Sequence, residues 1–187
     1  MQGYVILVSL TAMILGVALR SAQLKKLGIK AVHFGEMDKK DFIIPPFVLL
    51  YFYLILANVF HWPSFDTVFT ANAFTPWLGA ALCAFAPIMF YWGLHSFGKS
   101  FRVGLDEGEP GKLISGGAFA VTRNPLYIAF FAMLLGVFLI FSTWVFFAYL
   151  VVGLWRVDRQ VGLEENSLRK VYGQEYNDYC EKVRRYL

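Results

Sequence analysis

Two short polar segments are candidates for a binding or catalytic site. Each lies beside a long apolar stretch. The first is the run Thr122-Arg123-Asn124-Pro125-Leu126-Tyr127, which opens an apolar block that continues to Trp155. The second is the pair Glu164-Glu165, in the charged tail after that block. A guanidinium at a membrane edge can bind an anion, and paired carboxylates can hold an ammonium group or hydroxyls. Together they predict a polar site at the boundary between water and lipid.

The composition indicates a membrane protein. Of the 187 residues, 58% are hydrophobic and only 16% are charged, and the mean hydropathy is +0.54. A soluble domain of this size would carry about 25% charged residues. The charges cluster beside apolar stretches, so the net charge of +4 indicates topology and lipid contact rather than nucleic-acid binding. Cys83 and Cys180 lie in different contexts, and no Cys/His pair has metal-ligand spacing, so we expect neither a disulfide nor a metal.

Four apolar blocks are candidates for membrane spans, each of which needs about 20 residues. They cover residues 4–19, 43–60, 77–94 and 126–155. The last block, of about 30 residues, is long for one span and short for two. It has Ser142-Thr143 near its middle, so we predict two tilted helices joined by a tight turn there. The alternative is one long, strongly tilted helix.

The basic residues predict the direction of the spans. They concentrate in segments 20–41 and 96–125 and in the tail from Arg156, whereas segment 61–76 carries only Asp66. With five spans, all basic segments fall on one side of the membrane, and the positive-inside rule places that side in the cytoplasm. We therefore expect the N-terminus outside, the C-terminus and the site in the cytoplasm, and a first span that is retained rather than cleaved.

The predicted fold is an all-α integral membrane protein with about five transmembrane helices. The last two form a tight hairpin, and a cytoplasmic amphipathic helix follows. Residues 1–95 would hold three transmembrane helices with a basic loop, and residues 96–187 the catalytic half. Apolar and aromatic tail residues recur at roughly helical spacing, with Gly173 as a possible break; they are Leu163, Leu168, Val171, Tyr172, Tyr176 and Tyr179.

The C-terminal half resembles the isoprenylcysteine carboxyl methyltransferase family, and more loosely the wider group that includes integral-membrane phospholipid methyltransferases. The family pattern is Gly-x-Tyr, then Arg-His-Pro-x-Tyr, a helical hairpin, Glu-Glu, and Gly-x-x-Tyr-x-x-Tyr. The matching residues occur in the same order: Gly117-Ala118-Phe119, Arg123-Asn124-Pro125-Leu126-Tyr127, Glu164-Glu165, and Gly173-Gln174-Glu175-Tyr176-Asn177-Asp178-Tyr179.

Two positions depart from the family pattern. Asn124 stands where the family has His, and Phe119 stands where it has Tyr. Asn keeps a hydrogen bond but cannot titrate near neutral pH, and Phe keeps the ring without the hydroxyl. Both changes are compatible with cofactor binding. Asn124, however, cannot act as a proton acceptor.

The resemblance implies a cytoplasmic pocket for S-adenosylmethionine. The implied cofactor-binding residues are Leu113, Gly116, Gly117, Phe119, Arg123, Asn124, Pro125, Tyr127, Glu164 and Glu165. In this hypothesis Arg123 pairs with the cofactor carboxylate, the glutamates hold its ammonium or ribose hydroxyls, and the aromatic rings face adenine or the sulfonium. The catalytic candidates are Arg123, Glu165 and Arg156. Arg156 would recognise an anionic acceptor, or would be a simple cytoplasmic anchor.

The resemblance leaves several functions open. The leading hypothesis is methyl transfer to a lipophilic acceptor, preferably a carboxylate such as an isoprenylcysteine, because a carboxylate is already ionised at neutral pH. The second is methylation of a phospholipid amine, which would need a base. The third is a membrane protein that keeps the fold without catalysis. An intramembrane reductase is disfavoured, because there is no Gly-rich phosphate loop followed by a helix. We expect the bilayer and a lipophilic acceptor as partners, and neither nucleic acid nor metal.

Overall fold

A computed structural model describes residues 1–26, 44–63, 67–68, 73–97 and 112–187. Within these residues the protein is all helical, with six α-helices and no strand. The helices are α1 Gln2–Lys26, α2 Ile44–Phe60, α3 Thr75–Ser96, α4 Pro125–Phe141, α5 Trp144–Tyr172 and α6 Gln174–Lys182. A 3₁₀ turn, Gly117–Ala120, precedes α4. The all-α class predicted from the sequence is confirmed.

Helices α3 and α4 form the centre of the bundle and run antiparallel. A Cβ added to Gly79 would lie 2.6 Å from the carbonyl oxygen of Gly136, and Gly93 faces Leu126 near the other end. The two helix backbones therefore approach closely at glycine residues. Such close contacts at small residues are typical of helices packed in membranes. Gly79, Gly93 and Gly136 are thus close-packing positions between the two helices.

Helix α1 lies beside α3 and runs in the same direction. Near its start, Gly3 faces Val59 and Phe141. Past its middle, Gly16 faces the ring of Tyr91, whose hydroxyl donates to the carbonyl of Ala12 at 2.6 Å. One end of the bundle thus holds the start of α1 and the ends of α2 and α4. The other end holds the later part of α3 and the start of α4.

The predicted turn at Ser142-Thr143 between two helices is confirmed. Ser142 ends α4 in the left-handed conformation, with φ 47°, and its N–H donates to the carbonyl of Phe138 at 2.6 Å. Thr143 then caps α5, since its hydroxyl accepts from the N–H of Phe146 at 3.5 Å. The alternative of one long helix across residues 126–155 is wrong, because α5 begins at Trp144 with its own cap.

Two boundaries differ from the sequence prediction. Helix α5 does not end near Trp155 but continues for 29 residues to Tyr172, so Glu164 and Glu165 lie on the same helix as the apolar block. It ends at Gly173, with φ 55°, which was the expected break. Helix α1 extends to Lys26 and therefore includes basic residues expected in the loop 20–41. The rest of that loop, and residues 98–111 of the basic segment 96–125, lie outside the described residues.

The apolar helices support a membrane location. Two stretches, Gln2–Gln23 and Thr75–Ser96, are long and apolar enough to cross a bilayer, and Pro45–Phe60 and Pro125–Phe141 are shorter apolar helices. Large apolar side chains are exposed along the bundle, including Val8 at 70%, Ile88 at 68% and Trp155 at 60%. Soluble monomers rarely expose so much contiguous apolar surface. The number of spans and their orientation stay predictions.

Candidate functional site

The segment before α4 is fixed to the end of α3 through Ser96. The Ser96 hydroxyl donates to the carbonyl of Trp92 at 2.8 Å and accepts from the N–H of Ala118 at 2.9 Å. Gly117 has φ +62°, and a Cβ there would collide with Ser96 Oγ. Glycine is therefore required at this position for both its conformation and its size. By contrast, a Cβ on the exposed Gly116 would meet nothing within 4 Å.

Phe119 supports the same segment from the interior. Its ring packs edge-on against Phe97, with 4.6 Å between centroids, and only 7% of the residue is exposed. Its carbonyl accepts a 2.6 Å hydrogen bond from the Tyr179 hydroxyl, and burial raises the pKa of Tyr179 from 10.0 to about 12. The expected contact of the Phe119 ring with a ligand thus competes with an existing protein contact. Leu113, earlier in the segment, is half-buried.

The Arg-Asn-Pro motif is covered by the C-terminal segment, which we define as residues 183–187. The main-chain N–H of Arg123 donates to the carbonyl of Arg184 at 3.0 Å. The Thr122 hydroxyl and the Asn124 side-chain amide both donate to the carbonyl of Arg185, at 3.1 and 3.2 Å. The described acceptor of the Asn124 amide is therefore main chain, and its hydrogen bond to a cofactor stays a prediction. Pro125 is buried in the first turn of α4, the helix start that its position favours.

Glu165 is buried between two guanidinium groups. It is 1% exposed, and its Oε2 accepts from Nη2 of Arg185 at 2.7 Å. Its Oε1 lies 3.2 Å from Nη2 of Arg123, whose side chain is 11% exposed. Arg123 and Glu165, which are 42 positions apart in the sequence, thus lie side by side at the end of the bundle.

Two polar atoms in this cluster lack hydrogen bonds. Among the described residues, neither Nε of Arg123 nor Oε1 of Glu165 has a hydrogen-bond partner. The 3.2 Å contact between Nη2 and Oε1 is close enough for an ion pair, but its angles are not those of a hydrogen bond. Buried polar atoms are rarely left in this state, so these two are suited to a polar ligand.

Glu164 lies in a different environment from Glu165. Its Oε1 accepts from the Tyr127 hydroxyl at 2.6 Å and from the Gln160 amide at 3.1 Å, so its described donors are neutral. Gln160 and Arg156 lie one and two helical turns before it on the same face of α5. Arg156 is half-buried, about 12 Å along the helix from Glu164. The two adjacent glutamates therefore face separate groups of residues.

The sequence reading missed part of this cluster. Arg185 also lies 3.7 Å from Asp158, and the Tyr186 hydroxyl donates to Asp158 at 2.9 Å. The hydrogen bond to Glu165 raises the pKa of the Arg185 guanidinium. The sequence contained one signal for a polar site in the tail, the adjacent residues Arg184-Arg185 near several tyrosines. These arginines were interpreted only as part of the basic tail that indicates membrane topology. Among the described residues, no group of three or more His, Cys, Asp or Glu side chains could hold a metal ion.

The chain matches one family model. The model, described as phospholipid methyltransferase, matches residues 74–175, which is more than half of the chain. The matched region contains α3, the Arg-Asn-Pro motif, the α4–α5 hairpin and both glutamates. No curated protein and no solved structure matches the chain significantly.

Proposed function

Since the chain belongs to the phospholipid methyltransferase family, a family of membrane methyltransferases related to the isoprenylcysteine carboxyl methyltransferases, we propose that it transfers a methyl group from S-adenosylmethionine to a lipophilic acceptor. The observation that carries this proposal is the buried cluster of Arg123 and Glu165. It lies inside the matched region, and it contains a guanidinium N–H and a carboxylate oxygen that have no hydrogen-bond partner among the described residues.

The polar groups of the cluster fit the polar groups of the cofactor. Bound S-adenosylmethionine would supply a methyl group on a sulfonium, activated for displacement. Arg123 would bind its carboxylate, because a guanidinium offers paired donors to a carboxylate and Nε of Arg123 has no described partner. Glu164 or Glu165 would accept hydrogen bonds from its ammonium or ribose hydroxyls. Gly116 leaves space beside the backbone for close approach.

The remaining site residues would hold these groups in place. Pro125 and the bonds from Thr122 and Asn124 fix the motif against the C-terminal segment. The Tyr127 hydroxyl holds one carboxylate oxygen of Glu164, and the Tyr127 ring would line the site next to that carboxylate. Leu113, Gly117 and Phe119 also belong to the proposed site. They would help to position the reacting groups and to exclude water, and both effects lower the barrier of a methyl transfer substantially.

We favour an acceptor that is already anionic. The described hydrogen bond of the Asn124 amide goes to a main-chain carbonyl, and the motif contains no imidazole that could remove a proton. A carboxylate acceptor needs no base, whereas an ammonium acceptor must first lose a proton. The half-buried Arg156, on the face of α5 that carries Glu164, would recognise the acceptor's charge. An isoprenylcysteine carboxylate has the required combination of charge and apolar chain.

Methylation of a phospholipid amine is the second candidate function. The specific observation in its favour is that the matching family model is described as phospholipid methyltransferase. Glu164 or Glu165 would then have to act as the base. A non-catalytic membrane protein would follow only if the cofactor does not bind.

We also propose five membrane spans with the site in the cytoplasm. The directions of α1, α3 and α4 support it, since α3 runs parallel to α1 and antiparallel to α4. Arg20 and Lys25 lie on the last turns of α1, at the end of the bundle where α4 starts. The basic end of α1 therefore lies at the same end of the bundle as Arg123, which precedes α4, and the positive-inside rule favours a cytoplasmic location for this end. Cysteine labelling from either side of the membrane, at position 2 and at position 187, tests the orientation.

The acceptor can be tested with purified protein in liposomes. Labelled S-adenosylmethionine is supplied with either a prenylated cysteine acid or phosphatidylethanolamine, and Arg123→Ala is assayed in parallel. We expect label in the prenylated product, released by mild base because methyl esters are base-labile. Base-stable label in phosphatidylethanolamine would instead establish amine methylation. Label in neither lipid class, from a protein that binds the cofactor, would exclude both acceptors.

A further inference from the structure

Arg185 connects three parts of the proposed site. Its side chain donates to Glu165 at 2.7 Å and lies 3.7 Å from Asp158 on the same helix. Its carbonyl accepts from Thr122 and Asn124, the residues that flank Arg123. The Arg185 guanidinium thus contacts Oε2 of Glu165, whereas Arg123 contacts Oε1, and the main chain of Arg185 is held by Thr122 and Asn124.

The two arginines do not share Glu165 equally. Arg185 makes a short charge-assisted hydrogen bond, whereas Arg123 makes only an ion-pair contact at 3.2 Å. The cluster holds two guanidinium groups and two carboxylates, because Asp158 lies 3.7 Å from Arg185. Arg185 contacts both carboxylates, whereas the described ion-pair contact of Arg123 is with Glu165. Arg123 is the more buried of the two arginines, with side chains 11% and 38% exposed, and its Nε has no hydrogen-bond partner among the described residues. A buried donor of this kind favours an anionic ligand.

We infer that Arg185 is a positioning residue of the cofactor site: by occupying Glu165, it leaves Arg123 available for the carboxylate of the ligand. This inference rests on the proposed function. Without Arg185, the nearest partner for Glu165 is Arg123, and an arginine and a carboxylate at this distance would close into a bidentate pair. Arg123 would then be neutralised inside the protein and would bind a ligand carboxylate weakly.

If Arg185 has this role, its removal should weaken the binding of a ligand that carries the carboxylate and spare a ligand that lacks it. Removing Arg185 should reduce affinity for S-adenosylmethionine about tenfold or more, the range for a hydrogen bond to a charged group. Affinity for decarboxylated S-adenosylmethionine, which lacks the carboxylate, should change less than about twofold, because that ligand does not need Arg123. A purely structural role of Arg185 would weaken the binding of both ligands equally.

The experiment is equilibrium binding of the two ligands to the full chain in detergent. Four proteins are compared: the wild type, Arg185→Gln, Arg185→Lys and Lys182→Gln. Lys182 is exposed at the end of α6, and Lys182→Gln removes the same charge nearby, so it should bind both ligands as the wild type does. Arg185→Lys keeps the charge and should recover part of the affinity for S-adenosylmethionine. Thermal unfolding without ligand shows that each variant is folded.

The outcomes separate this inference from the proposed function. A wild type that binds neither ligand contradicts the proposed function itself. A wild type that binds both, with Arg185→Gln weakening both equally or neither, overturns the role of Arg185. If Arg185→Gln does not fold, Asp158→Asn decides instead. It removes the negative charge that lies 3.7 Å from Arg185, and should weaken the binding of S-adenosylmethionine selectively, in the same direction and by a smaller factor.

Discussion

The middle of the bundle and its polar end are held together in different ways. Around Gly79 and Gly136, two helices touch through their backbones, and the surrounding side chains are apolar. Around Glu165, side chains from α5, the segment before α4 and the C-terminal segment meet through charges and hydrogen bonds. The first region depends on shape alone, whereas the second also depends on the position of individual atoms. Substitutions in the first should therefore affect folding, and substitutions in the second should affect ligand binding more.

The largest effect is expected from Gly136→Leu. A Cβ at this position would lie 2.6 Å from Sγ of Cys83 and 2.8 Å from the carbonyl oxygen of Gly79, so α3 and α4 must separate. We expect a loss of about 3 kcal/mol or more, the upper range for overpacking, seen as a lower unfolding temperature in detergent. Gly162→Ala is the matched control, since a Cβ there meets nothing within 4 Å. Equal stability of the Gly136→Leu protein and the wild type would contradict the close packing.

A neighbouring pair of glycines at the polar end gives a smaller and more local effect. Gly117→Ala places a Cβ against Ser96 Oγ at φ +62°, which should cost about 1–2 kcal/mol and displace the segment before α4. Gly116→Ala should leave stability unchanged, because Gly116 is extended, with φ −102°, and a Cβ there meets no protein atom within 4 Å. The measurement is thermal unfolding without ligand. A Gly116→Ala protein that loses as much stability as Gly117→Ala would contradict this difference.

The smallest effect is expected from Tyr179→Phe, which removes the hydroxyl that holds the Phe119 carbonyl. At pH 8 the change should cost about 1 kcal/mol. Because burial raises the pKa of Tyr179 from 10.0 to about 12, its stabilising contribution is complete below pH 10 and is lost as the pH rises toward 12. The stability difference between the wild type and Tyr179→Phe should therefore shrink between pH 8 and 11.

Unfolding curves at the two pH values measure this change, with Tyr4→Phe as the control. Tyr4 is 56% exposed, and phenylalanine can keep its ring contact with Phe60. A difference between the wild type and Tyr179→Phe that stays constant with pH would show that the Tyr179 hydroxyl does not carry this contribution.

The helices could be predicted from the sequence because each depends on local patterns. Apolar runs located the helices, and Ser142-Thr143 located the turn, since two small polar residues interrupt an otherwise apolar block. The continuation of α5 to Tyr172 was missed because hydropathy falls at Trp155, whereas the helix needs only hydrogen-bonded backbone and no breaker before Gly173. Hydropathy predicts membrane contact and is a poor guide to where a helix ends.

The candidate site could be predicted only in part. The family-like motifs identified Arg123 and Glu165, and the structure brings these two together. The role of Arg185 was not accessible, because its contact with Glu165 requires the chain to reverse at Gly173 and pass back over the motif. The main-chain acceptor of the Asn124 amide depends on the same reversal. Contacts of this kind follow from tertiary packing and leave no periodic signal in the sequence.

The most direct test of the central claim is equilibrium binding of S-adenosylmethionine to the detergent-purified wild type, Arg123→Ala and Glu165→Gln. The account predicts that the wild type binds and that each substitution weakens binding about tenfold or more, with Lys182→Gln unchanged. Unfolding curves for the same samples establish that the variants are folded. A folded wild-type protein that does not bind S-adenosylmethionine would contradict the account, and the chain would then be a membrane protein that has the family's fold without its reaction.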